Sequence, residues 1–244
     1  MSEYLINGGY PEPFVKSLNY REYPSTLFAP VVYKDIVKRY RVRKPRTIDE
    51  LAEYFVSNIG REFSYSKLTN LTGLKSAHSV KRCVDFLGES FIFFEMELYS
   101  TKVSERVKAN KKMYCIDNGF IHSSTHRNGQ DRGVLYENLV AIELLRRSYK
   151  ENFKFYFWKN DQQLEIDFVV KQGNLVRELI QVCSDLSESS TMEREVRSLI
   201  KGSEVFGCKD LIVITDSVER TEQSEWYGVK RNIKFIPLWK WLSS

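Results

Sequence analysis

Residues 164–183, LEIDFVVKQGNLVRELIQVC, restrict the fold of this chain more than any other stretch. Apolar and β-branched residues alternate on both sides of Gly173-Asn174, which predicts two strands joined by a tight turn. On the first strand Ile166, Phe168 and Val170 share one face and Glu165, Asp167 and Val169 the other, because strand side chains repeat every two residues. On the second, Gln181 and Cys183 share a face, while Glu178, Ile180 and Val182 point the opposite way. A carboxylate on one strand facing two residues spaced by one on the next is the layout of nucleases that hold a metal between strands. The plainer reading is an amphipathic hairpin with a solvated aspartate, since so short a motif recurs by accident.

The elements around this hairpin predict a mixed α/β domain. A helix over 133–149 carries Leu135, Leu139, Ile142 and Leu145 along one stripe, with Glu137, Arg146 and Arg147 off its centre. A strand follows at 154–158. Ser190 with Glu193 reads as a capping box opening a helix that runs to about residue 206. Residues 211–215 are a continuous apolar run, as in a buried strand of a covered sheet, and 233–237 a further strand before the aromatic tail LWKWL. Together these make a domain of roughly 110 residues, a common size.

The region before it reads differently. Gly8-Gly9 and Pro11, Pro13, Pro24 and Pro30 predict an irregular start, followed by a basic-ended helix over 31–43. Thr47 with Glu50 reads as a capping box for a helix that turns Ile48, Leu51, Ala52 and Phe55 inward. A short helix with Leu68 and Leu71 opens at Ser64 and stops at Gly73. A third, over 77–88, buries Val80, Val84 and Leu87. The run FIFFEMELYS, the basic loop KVSERVKANKK and the strand MYCID complete three helices and a two-stranded ribbon, the order of a winged helix-turn-helix. In that plan the third helix enters the major groove and the loop touches phosphates. Lys75, Ser76, His78, Lys81 and Arg82, with Lys108, Lys111 and Lys112, are the candidate contacts to duplex DNA. The same order also serves as a packing module with a solvated basic face. Residues 118–132 read as a polar link, in which His122 and His126 lack a carboxylate to complete a metal site.

Partner chemistry is bounded only loosely by charge: 37 Lys and Arg against 32 Asp and Glu leave +5, which permits nucleic acid without requiring it. The four cysteines show no paired spacing, so neither a zinc site nor a disulfide framework is expected. With no basic-then-apolar leader and no run long enough to span a bilayer, the reading is a cytoplasmic protein without a membrane partner.

Six runs, in order across nearly the whole chain, carry a resemblance: YLINGGYPEPF, FSYSKLTNLTGLKSAHSVKRCVDFLGESFIFF, MYCIDNGF, GVLYENLVAIELLRR, EIDFVV and LIQV. Together they resemble the C-terminal half of archaeal-type AAA-family ATPases. The resemblance implies a lid-like extension over 1–45, a winged helix over 46–117, and over 118–244 an α/β domain of unknown function with a PD-(D/E)xK nuclease-like fold. No G-x-x-x-x-G-K-[ST] occurs, so this chain does not build a P-loop phosphate cradle, and a P-loop ATPase domain in cis or in trans is an implied partner.

Carried over by position, the resemblance makes Glu137 the helix carboxylate and Asp167 the strand aspartate. It puts Gln181 and Cys183 where active members have an acid and a lysine. Carboxylates there hold Mg²⁺ or Mn²⁺, which activates water and offsets charge on the phosphate. A metal set of Glu137, Asp167 and Gln181 would lack one negative charge, and Cys183 supplies no stable cation. Arg194, Lys201 and Lys171 are the substitutes within reach in sequence. Three readings follow: a DNA-binding accessory module of an ATPase system with a degenerate nuclease-like domain, a metal-dependent endonuclease, or a protein-interaction scaffold.

Overall fold

The early prolines start and shape helices instead of leaving the chain irregular. In the computed structural model, which describes residues 1–20, 22–124, 132–186 and 189–244, α1 (Ser2–Asn7) is followed by α2 (Pro11–Lys16), whose Pro11 stands in the first turn. Proline is tolerated there because the first N–H groups of a helix have no internal acceptor. Helix α3 (Glu22–Val31) contains Pro30 and passes directly into a π-helical segment, Val32–Lys38. A missing N–H inside a helix disrupts the regular ladder, and a widened turn is a common accommodation.

The chain divides into two units, 1–95 with 110–142 and 96–109 with 143–244. In the first, α4 (Pro45–Ser57) begins two residues before the expected capping box, with Pro45 in its first turn and Lys44 as an N-cap that makes no side-chain bond. Thr47 is therefore buried within the helix, and Glu50 accepts from Arg46 Nε at 2.9 Å. Ile48, Leu51, Ala52 and Phe55 face inward as their spacing requires. Strand β1 (Glu62–Phe63) leads to α5 (Tyr65–Thr72) and α6 (Ala77–Glu89). Ser64 and Ser76 cap these helices, accepting from the backbone N–H of Lys67 and Ser79, each at 3.2 Å. Such a cap stabilises a helix by about 1 kcal/mol. Gly73 ends α5 at φ 60°, a left-handed turn that favours a residue without Cβ.

Strands β2 (Phe93–Glu97) and β3 (Lys111–Cys115) complete a three-stranded sheet in the order β1-β3-β2. Between them the expected basic loop folds as helix α7 (Val103–Lys108). The expected polar link is also partly helical, α8 (Asn118–Ser124), because its polar residues are held by the interior. Asn118 is fully buried and donates to the carbonyls of Leu5 and Leu135 at 2.7 and 3.1 Å. His126 lies outside the described residues.

Helix α9 (Arg132–Glu151) buries Leu135, Tyr136, Leu139, Val140 and Leu144, a stripe rotated from the expected one, with Ile142 and Leu145 only half-buried. The second unit is a six-stranded mixed sheet in the order β4-β5-β6-β7-β9-β8: β4 (Lys154–Lys159), β5 (Glu165–Gln172), β6 (Leu175–Val182), β7 (Leu211–Thr215), β8 (Arg220–Trp226) and β9 (Val229–Pro237). β6 pairs with β7 and β7 with β9 in parallel; the other pairs are antiparallel. Strand β8 is not legible in the sequence because TEQSEW carries few apolar residues and lies at the sheet edge. The aromatic tail forms a short helix, α11 (Leu238–Leu242), after α10 (Ser189–Phe206), the crossover between β6 and β7.

Helix α10 covers the sheet. Leu199 and Ile200 pack with Ile166 and Val169 of β5, Leu179 of β6, Leu211 and Val213 of β7, and Ile233 and Phe235 of β9. A Cβ on Gly202 would stand 2.2 Å from Ile166 Cδ1, so the absence of a side chain there lets α10 lie close on β5. That closeness places the N-terminal turns of α10 against the Asp167 end of the hairpin.

Candidate functional site

The backbone ladder between β5 and β6 runs as far as Phe168 opposite Ile180; one residue further, side chains take over the bonding. Asp167 N donates to Gln181 Oε1 at 2.6 Å, and Val182 N donates to Asp167 Oδ2 at 2.8 Å. Gln181 Nε2 donates to the Glu165 carbonyl at 3.0 Å and also to Glu195 Oε2 on α10. β6 meanwhile keeps its pairing to β7, Gln181 opposite Val213. Asp167 and Gln181 thus bridge the two strands through side-chain bonds just beyond the ladder, at the end of the hairpin away from its turn.

Glu195 is the residue that sequence reasoning passed over. It lies one turn before Leu199 and two turns before Gly202 on the covered face of α10, and its side chain is only 13% exposed. An acid in register with an apolar stripe was the available signal. Burial pushes its carboxyl above the ordinary range, partly opposed by Arg194, whose Nη2 donates to Glu195 Oε1 at 2.7 Å. Arg194 is held more firmly protonated by that bond and by the charge of Glu195, with Asp167 adding to the effect. Of the three substitute cations, Arg194 is the one tied to this centre. Lys201 lies 3.6 Å from Glu204, and Lys171 sits opposite Lys154, about 13 Å along the strand from Asp167.

Cys183 is 5% exposed and its thiol donates to the Asp185 carbonyl at 3.1 Å. Burial, followed by the charge of Glu195, pushes the thiol up to about 11, so it is neutral near pH 7 and serves as neither nucleophile nor cation. All four cysteines are free.

The donor set does not fit Mg²⁺ or Mn²⁺. A hard cation needs several convergent, available oxygens. Here Asp167 Oδ2, Gln181 Oε1 and both Glu195 oxygens are each occupied by a protein donor. Among the described residues, no three His, Cys, Asp or Glu side chains are grouped to hold a metal. Glu137 belongs to the first unit, where its carboxylate accepts from Tyr114 Oη at 2.6 Å and Lys112 Nζ at 3.3 Å.

The basic candidates separate by exposure. On and just before α6, Lys75, Ser76, His78, Lys81 and Arg82 are exposed, with Lys81 paired to Asp85 at 2.8 Å. Lys108 is exposed on α7, in the second unit. Lys111 and Lys112, expected in a loop, are instead buried in β3, at 6% and 4% exposure. Lys112 is committed to Glu137, and the charge of Lys111 acts on Glu95, so neither is presented for phosphate contact. Strand alternation does not rescue them, because β3 is the central strand of its sheet and both its faces are covered.

Residues 1–131 match the family described as domain of unknown function DUF8612, and residues 132–241 that described as domain of unknown function DUF4143. Two curated relatives are similar over much of the chain. An uncharacterized protein of Methanocaldococcus jannaschii is 27% identical over 99% of this chain and 55% of its own length. An uncharacterized protein of Haemophilus influenzae is 28% identical over 78% of this chain and 47% of its own. The chain therefore spans about half the length of these relatives. No solved structure matches. No helix among the described residues is long and apolar enough to cross a membrane.

Proposed function

The chain belongs to the DUF8612 family of domains of unknown function, so its role must come from its own residues, and we propose that it is a DNA-binding accessory module of an archaeal-type ATPase system. In this reading residues 46–117 are a winged helix that grips duplex DNA. Residues 118–244 are a PD-(D/E)xK nuclease-like scaffold without a working cutting centre. The ATPase is supplied in cis or in trans, and the further length of the curated relatives leaves room for such a domain.

The observation that carries the reading is the α6 surface. A helix capped by Ser76 presents Lys75, His78, Lys81 and Arg82 to solvent together. The ion pair within it, Lys81 with Asp85, is exposed and spaced four residues apart, worth about 0.3–0.5 kcal/mol and readily exchanged for a phosphate. The bonds that tie Asp167, Gln181 and Glu195 to one another and to the backbone support the second half, because among the described residues no three His, Cys, Asp or Glu side chains are grouped to hold a metal.

Two assays on the whole chain test this. A labelled duplex is expected to bind with an affinity that falls as salt rises, and Lys81→Ala with Arg82→Ala should flatten that slope by about 0.9 for each phosphate no longer neutralised. Binding that is absent at low salt, or indifferent to salt, overturns the reading. Supercoiled plasmid with Mg²⁺ or Mn²⁺ is expected to stay uncut; nicking that disappears in Asp167→Ala would restore the endonuclease reading.

A further inference from the structure

The residues between the π-helical segment and α4 form one wall of a basic groove of which the α6 reading uses only the other. Arg41, Arg43 and Lys44 line one wall, and Lys75 and Arg82 the other, around a cavity of about 670 Å³ within the first unit. No Asp or Glu lines it, and none of these five cations is ion-paired to a described residue. Five like charges around one cavity raise the free energy of the empty fold, and a fold that does not neutralise them internally leaves that to a ligand. The surrounding sequence repeats the bias: over 34–46 the chain has Lys34, Lys38, Arg39, Arg41, Arg43, Lys44 and Arg46 against Asp35 alone.

The groove is also held in shape. Tyr40 stacks on Phe86 with ring centroids 4.1 Å apart and planes within 9°, and its hydroxyl donates to Glu89. The guanidinium of Arg82 lies 5.9 Å from the Phe86 ring. Arg41 adopts φ 50°, a left-handed conformation unfavourable for arginine, and Val42 N donates to the Val37 carbonyl at 3.0 Å across that turn. The wall carrying Arg41, Arg43 and Lys44 is thus fixed against α6 by an aromatic stack at one end and a strained turn beside it.

We infer that residues 40–44 and this flank of α6 together clamp consecutive phosphates of a nucleic-acid duplex. Extent argues for a polymer backbone over a single anion. Five cations on two walls of a cavity of about 670 Å³ offer several separate contacts, as phosphates following one another every roughly 3.4 Å of helix axis along a strand require and one small anion does not. The inference rests on α6 as a duplex contact and adds a second wall to it, so that the segment before α4 contacts the duplex backbone as well.

The test compares matched charge changes in the whole chain. Arg41→Gln with Arg43→Gln removes two charges from the groove; Lys34→Gln with Lys38→Gln removes two from the adjacent helix outside it. All four side chains are exposed, so both variants should fold, as far-UV circular dichroism will verify. On a labelled duplex the groove variant is expected to flatten the log affinity against log salt slope by up to about 1.8, twice the roughly 0.9 per phosphate, while the control leaves it unchanged. Duplex should also slow maleimide labelling of Cys83, which lines the groove and is the one cysteine that is not buried. Equal slopes for wild type and groove variant, or equal flattening in both variants, overturn the groove while leaving duplex binding intact. Failure of the wild type to bind duplex at low salt overturns both.

Discussion

Truncating Gln181 to alanine should unfold the second unit more readily than any surface change. Gln181 is 1% exposed, and its amide serves three partners: Asp167 N at 2.6 Å, the Glu165 carbonyl at 3.0 Å, and the Glu195 carboxylate. Removing it strands a backbone donor, a backbone acceptor and a partly buried charge at once. A buried neutral group left unsatisfied costs about 1–3 kcal/mol and a charged one more. Local relaxation and water entry recover part of that, so a net loss of about 4 kcal/mol is expected. Against a total stability of about 5–15 kcal/mol this is a large fraction. At about 4 °C or more per kcal/mol for a unit near 100 residues, the transition should fall by about 16 °C or more. Urea denaturation followed by tryptophan fluorescence measures it, since Trp158 and Trp226 both report on this unit. A loss below about 1 kcal/mol would refute the view that Gln181 is a structural bridge and would reopen its role as a ligand in waiting.

Two further outcomes follow from the same geometry. Glu195 has its carboxyl raised by burial, so the folded state holds the proton more tightly than the unfolded state. Stability contributed by the protonated form is present at low pH and declines as pH climbs from the unfolded value, about 4.3, through the raised one. Relative to Glu195→Gln, wild type should therefore lose stability over that window and then level off; parallel urea midpoints across it would contradict this. In the first unit, fully buried Asn138 accepts from Cys115 N at 2.9 Å and donates to Cys115 O at 2.9 Å and Asn118 Oδ1 at 2.8 Å. Asn138→Ala should cost about 3 kcal/mol by the same reasoning, measured by thermal unfolding, and a change under about 1 kcal/mol would show those bonds to be dispensable.

Local pattern was enough for much of this chain. Alternation placed β5, β6 and the turn at Gly173-Asn174, and apolar spacing placed α5, opening at Ser64, and α6 with its buried Val80, Val84 and Leu87. It failed where two local signals competed, as at α4, where Pro45 in the first turn displaced the Thr47 capping box. It failed again where polarity concealed structure. β8 looks like a loop because an edge strand needs few apolar residues, and α8 looks like a linker because Asn118 is satisfied by carbonyls distant in sequence.

The candidate centre divides along the same line. The resemblance puts Gln181 and Cys183 where active nucleases have an acid and a lysine; that a glutamine brings no negative charge and a cysteine no stable cation needs no coordinates. That Gln181 is a bridge, that Glu195 joins it from α10 with Arg194 as its ion-pair partner, and that Lys111 and Lys112 are buried were decided only by tertiary packing. The physical reason is that side-chain identity sets what a group can bond, whereas the partner it bonds depends on which elements the fold brings within about 3 Å, the range of a hydrogen bond.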